Sequence, residues 1–273
     1  MKRGAFLELL AGLGCLAGCQ VVEPVWQVFT SEAGKANDML LSPFRSLKIM
    51  SWNIRAGLGM DGVRDISRAA VVIKDVGADL VAVQEVDRNT RRSGGVDQIA
   101  ELEKGTGMLA TWCKAIDHDG GEYGIALLSR SAPIGVRRIE LPRLGNTEQR
   151  MLLLAEFPEF LVGVTHLSLN ADERLAAVGV IRGYLNPEKP FFLAGDWNDI
   201  PGSETLHEIR KSFAVVSGFD KTFPAPEPRS CIDYIAVSRR HRARFEHVSH
   251  EVLPQAVFSD HRPVVVWTIP KSE

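Results

Sequence analysis

The chain has 273 residues, 45% of them hydrophobic and 24% charged, with a formal charge of −2. That balance belongs to a folded globular protein and excludes a disordered, collagenous or coiled-coil chain; no run of about 18 apolar residues supports a polytopic membrane protein. The near-neutral charge excludes a whole-chain basic footprint for nucleic acid, but not a metal-dependent enzyme acting on phosphates, because the ion brings its own positive charge.

In chain order, Lys2 and Arg3 precede a small, mostly apolar stretch interrupted by Glu8, and then Leu16-Ala17-Gly18-Cys19. This is the layout of a secretory signal. A Cys directly after Leu-Ala-Gly resembles the bacterial lipobox, which implies cleavage before Cys19, a lipid on its sulfur, and an exported, membrane-anchored protein on the periplasmic or extracellular face. Residues 1–18 are therefore expected to be the signal. Residues 19–46, with Pro24, Gly34, Ser42 and Pro43 and no sustained period, read as a tether, and 47–270 as the folded domain. Cys113 and Cys231 sit beside apolar runs and read as small buried residues; a disulfide between them is permitted in an exported protein but not established by sequence.

Within the domain, 47–54 reads as a strand, 64–76 as a helix stopped by Gly77, 79–84 as a buried strand, and 96–104 as a helix ended by Gly105. Strands follow at 123–129, 134–141, 150–157 and 160–165, the last two joined through Pro158-Glu159 as a hairpin. Residues 171–185 are helical, 190–194 form a strand, and 203–209 form a short helix with Ser203 as N-cap. Residues 232–237, 245–252 and 264–269 are the final strands. Adjacent strands argue against a purely parallel sheet. Two mixed sheets packed together, with helices outside, bury most of these runs.

The polar residues fall where strands end. Asn53 closes the first strand, Glu85 follows the second, and His166 follows 160–165. Asp196 and Asn198 come after 190–194, Asp233 opens 232–237, and Asp260 and His261 precede the last strand. Catalytic groups sit on loops held by rigid strands. Glu85, Asp260 and Asn53 are hard oxygen donors suited to Mg²⁺ or Mn²⁺ and not to zinc. Asp196 suits a base or water-orienting role, and Asn198 can hold a phosphate oxygen by its NH₂. His261, kept protonated by Asp233, can donate to a non-bridging oxygen. His166 can donate to the leaving oxygen or to a phosphate oxygen. Taken singly, Asp-x-Asn after glycine is a turn and Asp-His before proline a strand-entry cap; only their joint occurrence along the chain points to a site.

The set SWNI, VQEVD, THL, GDWND, IDYIAVS and SDHRP resembles the endonuclease/exonuclease/phosphatase family over roughly residues 47–269. The resemblance implies an α/β fold, a four-layer α/β/β/α sandwich of two mixed sheets with helices outside, and Mg²⁺-dependent phosphoester hydrolysis. It implies that Asn53, Glu85 and Asp260 support the metal and that Asp196 and Asn198 orient water and phosphate. It further implies that His261 is catalytic and oriented by Asp233, and that His166 faces the scissile phosphate.

A family signature gives chemistry and not substrate. Arg91, Arg92 and Arg150 are weaker candidates for gripping a phosphate or head group, Arg91 and Arg92 from a polar, flexible loop at 91–95. The stiff proline-rich segment 223–228 is a candidate pocket wall. Phosphodiesters of nucleic acid or of a phospholipid or inositol head group are favoured over sugar or inositol phosphate monoesters. The expected partners are that substrate and a membrane reached through Cys19, with the chain acting as a monomer. A non-catalytic binding module on the same fold is the competing reading.

Overall fold

The computed structural model of the chain describes residues 27–28 and 46–271; the expected signal, Cys19 and nearly all of the expected tether lie outside the described residues. The strands are β1 (Gln27–Val28), β2 (Leu47–Asn53), β3 (Leu80–Arg88), β4 (Leu109–His118), β5 (Gly121–Ser129), β6 (Gly135–Glu140), β7 (Met151–Glu156), β8 (Leu161–His166), β9 (Phe191–Asp196), β10 (Phe213–Val215), β11 (Asp233–Ser238), β12 (Phe245–Val252) and β13 (Val264–Pro270). The helices are α1 (Ile66–Val76), α2 (Gln98–Thr106), α3 (Ala171–Arg182) and α4 (Glu204–Ser212).

Strands β8, β9 and β11 are buried at every position, so both faces of their sheet need cover. Alternation of side chains supplies two different covers. One set of alternate residues fills the space between two sheets: Ile49, Leu80, Ala82 and Leu127 from one meet Leu153, Val164, Phe192 and Ile235 from the other. The opposite set faces outward under helices. Met50, Trp52, Val81 and Val83 pack beneath Ile66, Ala69 and Ile73 of α1 and Ile99 and Leu102 of α2. Leu152, Leu154, Phe191 and Leu193 pack beneath Val178 and Ile181 of α3 and Leu206 and Ile209 of α4. The result is the α/β/β/α sandwich.

The sheets run β1-β6-β7-β8-β9-β11-β10 and β12-β13-β2-β3-β5-β4. Among the described strands only β2/β3 and β8/β9 are parallel. Each parallel pair is bridged by a helix, α1 in one sheet and α3 in the other. Ligands in such sheets bind beyond the carboxyl ends of the parallel strands. Asn53, at the end of β2, is paired with Gln84, and His166, at the end of β8, with Asp196.

Three details differ from the sequence reading. Helix α2 runs through Gly105 and stops at Gly107, whose φ of 72° makes it the left-handed cap. Strand β3 continues to Arg88 instead of ending at Gln84, so Glu85 lies inside it. Strand β4, unforeseen, carries a register shift between Lys114 and Ile116 that breaks any period of two, and three-residue β10 is too short to show one. Cys113 and Cys231 are the small buried residues expected, one between the sheets and the other in the outer layer under α3 and α4; both are free, which answers the open question of a disulfide between them. Ser203 caps α4 as expected, accepting from the Leu206 amide.

Candidate active site

The polar residues from the ends of β2, β8 and β9, the interior of β3, the start of β11 and the turn before β13 meet at one rim. Glu85 is presented by an irregularity in β3: pairing with β5 shifts between Val83 and Val86, and Glu85 takes φ 57°. A non-glycine residue there is uncommon and is held by its surroundings. At the end of β9, Gly195 has no alternative: a Cβ would lie 1.9 Å from the Thr165 carbonyl oxygen of β8. That close approach sets Asp196 beside His166. Asn198, at φ 49°, turns the chain back so that its amide donates to Asp196 Oδ1 at 2.9 Å and its Nδ2 to Leu167 O at 2.9 Å. Trp52 Nε1 donates to His261 O at 2.8 Å, and Ser259 Oγ to Asn53 O at 2.7 Å, which seats the 259–261 turn over β2.

His261 is 5% exposed and its Nδ1 lies 2.9 and 3.2 Å from the two carboxylate oxygens of Asp233. The Thr222 hydroxyl donates to the same carboxylate. Nε2 of His261 faces Asp196 Oδ2 at 3.7 Å. Burial works against the imidazolium, but the charge and hydrogen bond of Asp233 outweigh it and raise the His261 pKa to about 10. Burial and the nearby Asp233 charge push Asp196 up to about 7. His166, 6% exposed, stands 3.5 Å from Asp196 Oδ2 through Nε2. Burial, then the charges of Arg150 and His261, hold its pKa well below the usual imidazole value.

Glu85 and Asp260 line the same cavity, of about 380 Å³, together with Asp196, Asn198, His166 and His261. Burial pushes the Glu85 carboxyl up, and the Asp260 charge adds to that push while the Asn53 hydrogen bond opposes it. Two such carboxylates in one polar hollow fit a hard divalent cation. Asn53 lies directly behind these carboxylates. It is fully buried; its Nδ2 bridges Glu85 Oε1 at 2.9 Å and Asp196 Oδ2 at 3.1 Å, and its Oδ1 accepts from the Arg55 amide at 3.1 Å. It thus holds the carboxylates in place, while its oxygen keeps a second lone pair beyond the bond to the Arg55 amide. Arg55 Nε also lies 3.3 Å from Asp260. Asp196, Asp233 and His261 bring ligand-type atoms within 4.8 Å of one another as well. With Nδ1 of His261 taken up by Asp233, that trio reads as a proton chain, and Glu85 with Asp260 as the metal's side of the cavity.

Arg92 lines the far wall, clamped on Asp87 by two hydrogen bonds of 2.8 and 2.7 Å and lying over the Tyr123 ring. Asp87, fully buried, also accepts from the Thr90 and Ser93 hydroxyls, so the 91–95 loop expected to be flexible is pinned from beneath. Arg91 is not brought into the cavity lining: its side chain is 80% exposed and paired with Asp119. Arg150 lines the cavity. So do Ile116, His118, Tyr123, Glu148 and Leu169, none of which was singled out from sequence. They arrive through the β4–β5 pairing and the turns before β7 and α3, and no short motif marks them. Phe223, from the proline-rich segment, is the wall anticipated there; its ring lies 4.8 Å from that of His261. A larger hollow of about 860 Å³ runs along edge strand β4, where Arg88, Lys114 and Arg138 are balanced by Glu103, Glu122 and Glu140. It gathers no comparable set of converging acids and histidines.

The model of the Endonuclease/Exonuclease/phosphatase family matches residues 50–261. Among solved structures, an endonuclease/exonuclease/phosphatase from Beutenbergia cavernae is 24% identical with a TM-score of 0.69, over 84% of this chain and 72% of that one. A mannosyl-6-phosphatase from Bacteroides thetaiotaomicron is 18% identical with a TM-score of 0.66, over 82% and 99%. Truncated TDP2 from Caenorhabditis elegans is 17% identical with a TM-score of 0.62, over 82% and 97%. Likeness at these identities speaks for the fold. No curated protein matches the chain by sequence.

Proposed function

The chain belongs to the endonuclease/exonuclease/phosphatase family, and from that premise we propose that it is a divalent-metal-dependent phosphoesterase. The observation that carries this reading is the Asp233–His261–Asp196 chain of contacts opening onto a cavity that also holds Glu85 and Asp260. Glu85 and Asp260 would hold Mg²⁺ or Mn²⁺, with Asn53 fixing their geometry. The ion supplies Lewis-acid stabilisation of the phosphate oxygens. Asp196, with a pKa close to neutral, takes the proton of an attacking water. His261, held cationic by Asp233, donates from Nε2 to a non-bridging oxygen, and the second Nδ2 hydrogen of Asn198 supports the same charge. His166 donates from the neighbouring side.

A phosphodiester is the favoured ester, of nucleic acid or of a lipid or inositol head group. The polar hollow of about 380 Å³, with Glu148 available to accept from hydroxyls, favours a sugar phosphate monoester as the second reading. With Mg²⁺ or Mn²⁺ the protein should hydrolyse bis-p-nitrophenyl phosphate, and His261→Ala should abolish turnover while circular dichroism shows the fold retained, with a lowered thermal midpoint because Asp233 loses its partner; equal turnover in that variant rejects the assignment. Plasmid DNA, RNA, phosphatidylinositol, sphingomyelin and sugar phosphates, compared at equal enzyme, rank the substrates. We also propose export with a lipid anchor on Cys19, which the Leu-Ala-Gly-Cys run supports; mass spectrometry of the mature N-terminus, showing an unacylated Cys19, would remove that part.

A further inference from the structure

His261 and His166 present their Nε2 atoms to the same carboxylate oxygen, Asp196 Oδ2, at 3.7 and 3.5 Å. What stands behind the two rings is opposite in sign. Nδ1 of His261 faces the Asp233 carboxylate, whereas Nδ1 of His166 lies 2.9 Å from Arg150 Nη1. A guanidinium has five N–H donors and no acceptor, and it keeps its proton in proteins. Two donors do not face each other at 2.9 Å, so His166 Nδ1 carries a lone pair. A neutral imidazole has one N–H, which must then be on Nε2. A protonated ring would set a second cation and a second N–H against the guanidinium.

Arg150 is fastened for this contact. It stands at the entry to β7, where its carbonyl accepts from the Leu141 amide at 2.9 Å and from Gln149 Nε2 at 2.8 Å. Nη1 also reaches Glu148 Oε1 at 2.9 Å, which leaves one of its hydrogens for each partner. Thr165 Oγ1 donates to Met151 O at 3.0 Å and ties the ends of β7 and β8, so the spacing of Arg150 to His166 is held by the sheet. Nε of Arg150 is buried without an acceptor, so the fastening of the guanidinium rests on its Nη1 contacts.

We infer that Arg150 is a positioning residue that fixes the His166 proton on Nε2, so that His166 meets the substrate as a neutral hydrogen-bond donor and not as a general acid. For its catalytic consequence the inference rests on the hydrolase reading; the tautomer itself does not. A neutral imidazole stabilises a phosphate oxygen by its N–H without giving the proton away, as an electrophilic group of fixed protonation state. The two histidines of the site then divide the work: His261 brings a positive charge and His166 a directed dipole.

Histidine-selective ¹⁵N labelling and long-range ¹H–¹⁵N correlation spectra read the tautomer directly, with the His166 signals assigned by their loss in His166→Asn. The wild-type protein should show a bare Nδ1 and a protonated Nε2 on His166, unchanged from about pH 5.5 to about pH 8. Arg150→Met should admit the other tautomer or bring the ring into titration over that range, and Arg150→Lys should restore the wild-type pattern. A protonated Nδ1 in the wild type overturns the inference whether or not any variant folds, and so does an Arg150→Met spectrum identical to wild type. With Mg²⁺ and bis-p-nitrophenyl phosphate, Arg150→Met should lower kcat by about 10- to 100-fold at nearly constant KM, with part recovered in Arg150→Lys. An unchanged kcat alongside a shifted tautomer overturns the positioning role. A wild type with the stated tautomer but no turnover on any phosphoester tried contradicts the hydrolase reading instead and leaves the role of Arg150 toward His166 standing.

Discussion

Asp233 has no solvent exposure to speak of, and both of its oxygens lie against Nδ1 of His261. A buried carboxylate left without such a partner would be costly, so carboxylate and imidazolium are stable only together. Replacing the charge with an amide removes the reason for His261 to be cationic. Asp233→Asn should therefore lower kcat by about 10²- to 10⁴-fold while KM changes little; steady-state kinetics on one phosphoester checks this, and an unaltered kcat would dismiss the pairing as structural. Most of this was legible in the sequence, because Asn53, Asp196, Asn198, Asp233, Asp260 and His261 each sit in a short motif at or just beyond a strand end, and Glu85 in one on the β3 bulge. Arg150 was legible only as a charge. Nothing local in Glu148-Gln149-Arg150 says that its guanidinium ends on His166, which lies 16 positions away in sequence across an antiparallel pair.

At the level of elements, the rim depends on how loops are tied to α3. Glu173, in its first turn, accepts from the Ser168 and Thr147 hydroxyls and from the Leu144 amide at 2.6 Å. These bonds join the segment before β7 to the loop after His166. In that order they hold the Glu173 carboxyl below its ordinary value. A carboxylate whose folded pKa is depressed stabilises the fold above its unfolded value of about 4.3, and loses that contribution as pH falls through the folded value. Urea unfolding should thus show Glu173→Gln less stable than wild type near neutral pH, with the difference shrinking as the pH drops below about 4. A difference that stays constant, or widens in acid, contradicts the account. Regular elements were read well wherever one period ran unbroken, as in α1 and β8. Strand β3 was cut short because Glu85, the polar residue that looks like a stop, sits on a bulge within the strand. Strand β4 was missed because its shift at Lys114/Ile116 and its half-exposed edge position erase the alternation.

For the whole molecule, the two parallel units, β2-α1-β3 and β8-α3-β9, lie in different sheets, yet their carboxyl ends open on one cavity. The inter-sheet layer is what holds them in that relation. Leu153 in that layer is fully buried among side chains of both sheets; Leu153→Ala should cost about 2–5 kcal/mol of stability, read from chemical denaturation, and a cost well under that would mean the layer is loosely packed. The layering followed from composition and strand count, but the convergence of distant loops did not, since only pairing and register decide which strand ends become neighbours. The claim on which everything turns is that Glu85 and Asp260 form the cation's side of this cavity while Asp233 and His261 form its proton chain. Mn²⁺ titration followed by electron paramagnetic resonance tests it directly. The account predicts a saturable site in the wild type that weakens by about 10-fold or more in Glu85→Gln and is retained in Asp233→Asn; loss of the site in Asp233→Asn with Glu85→Gln unaffected would contradict it.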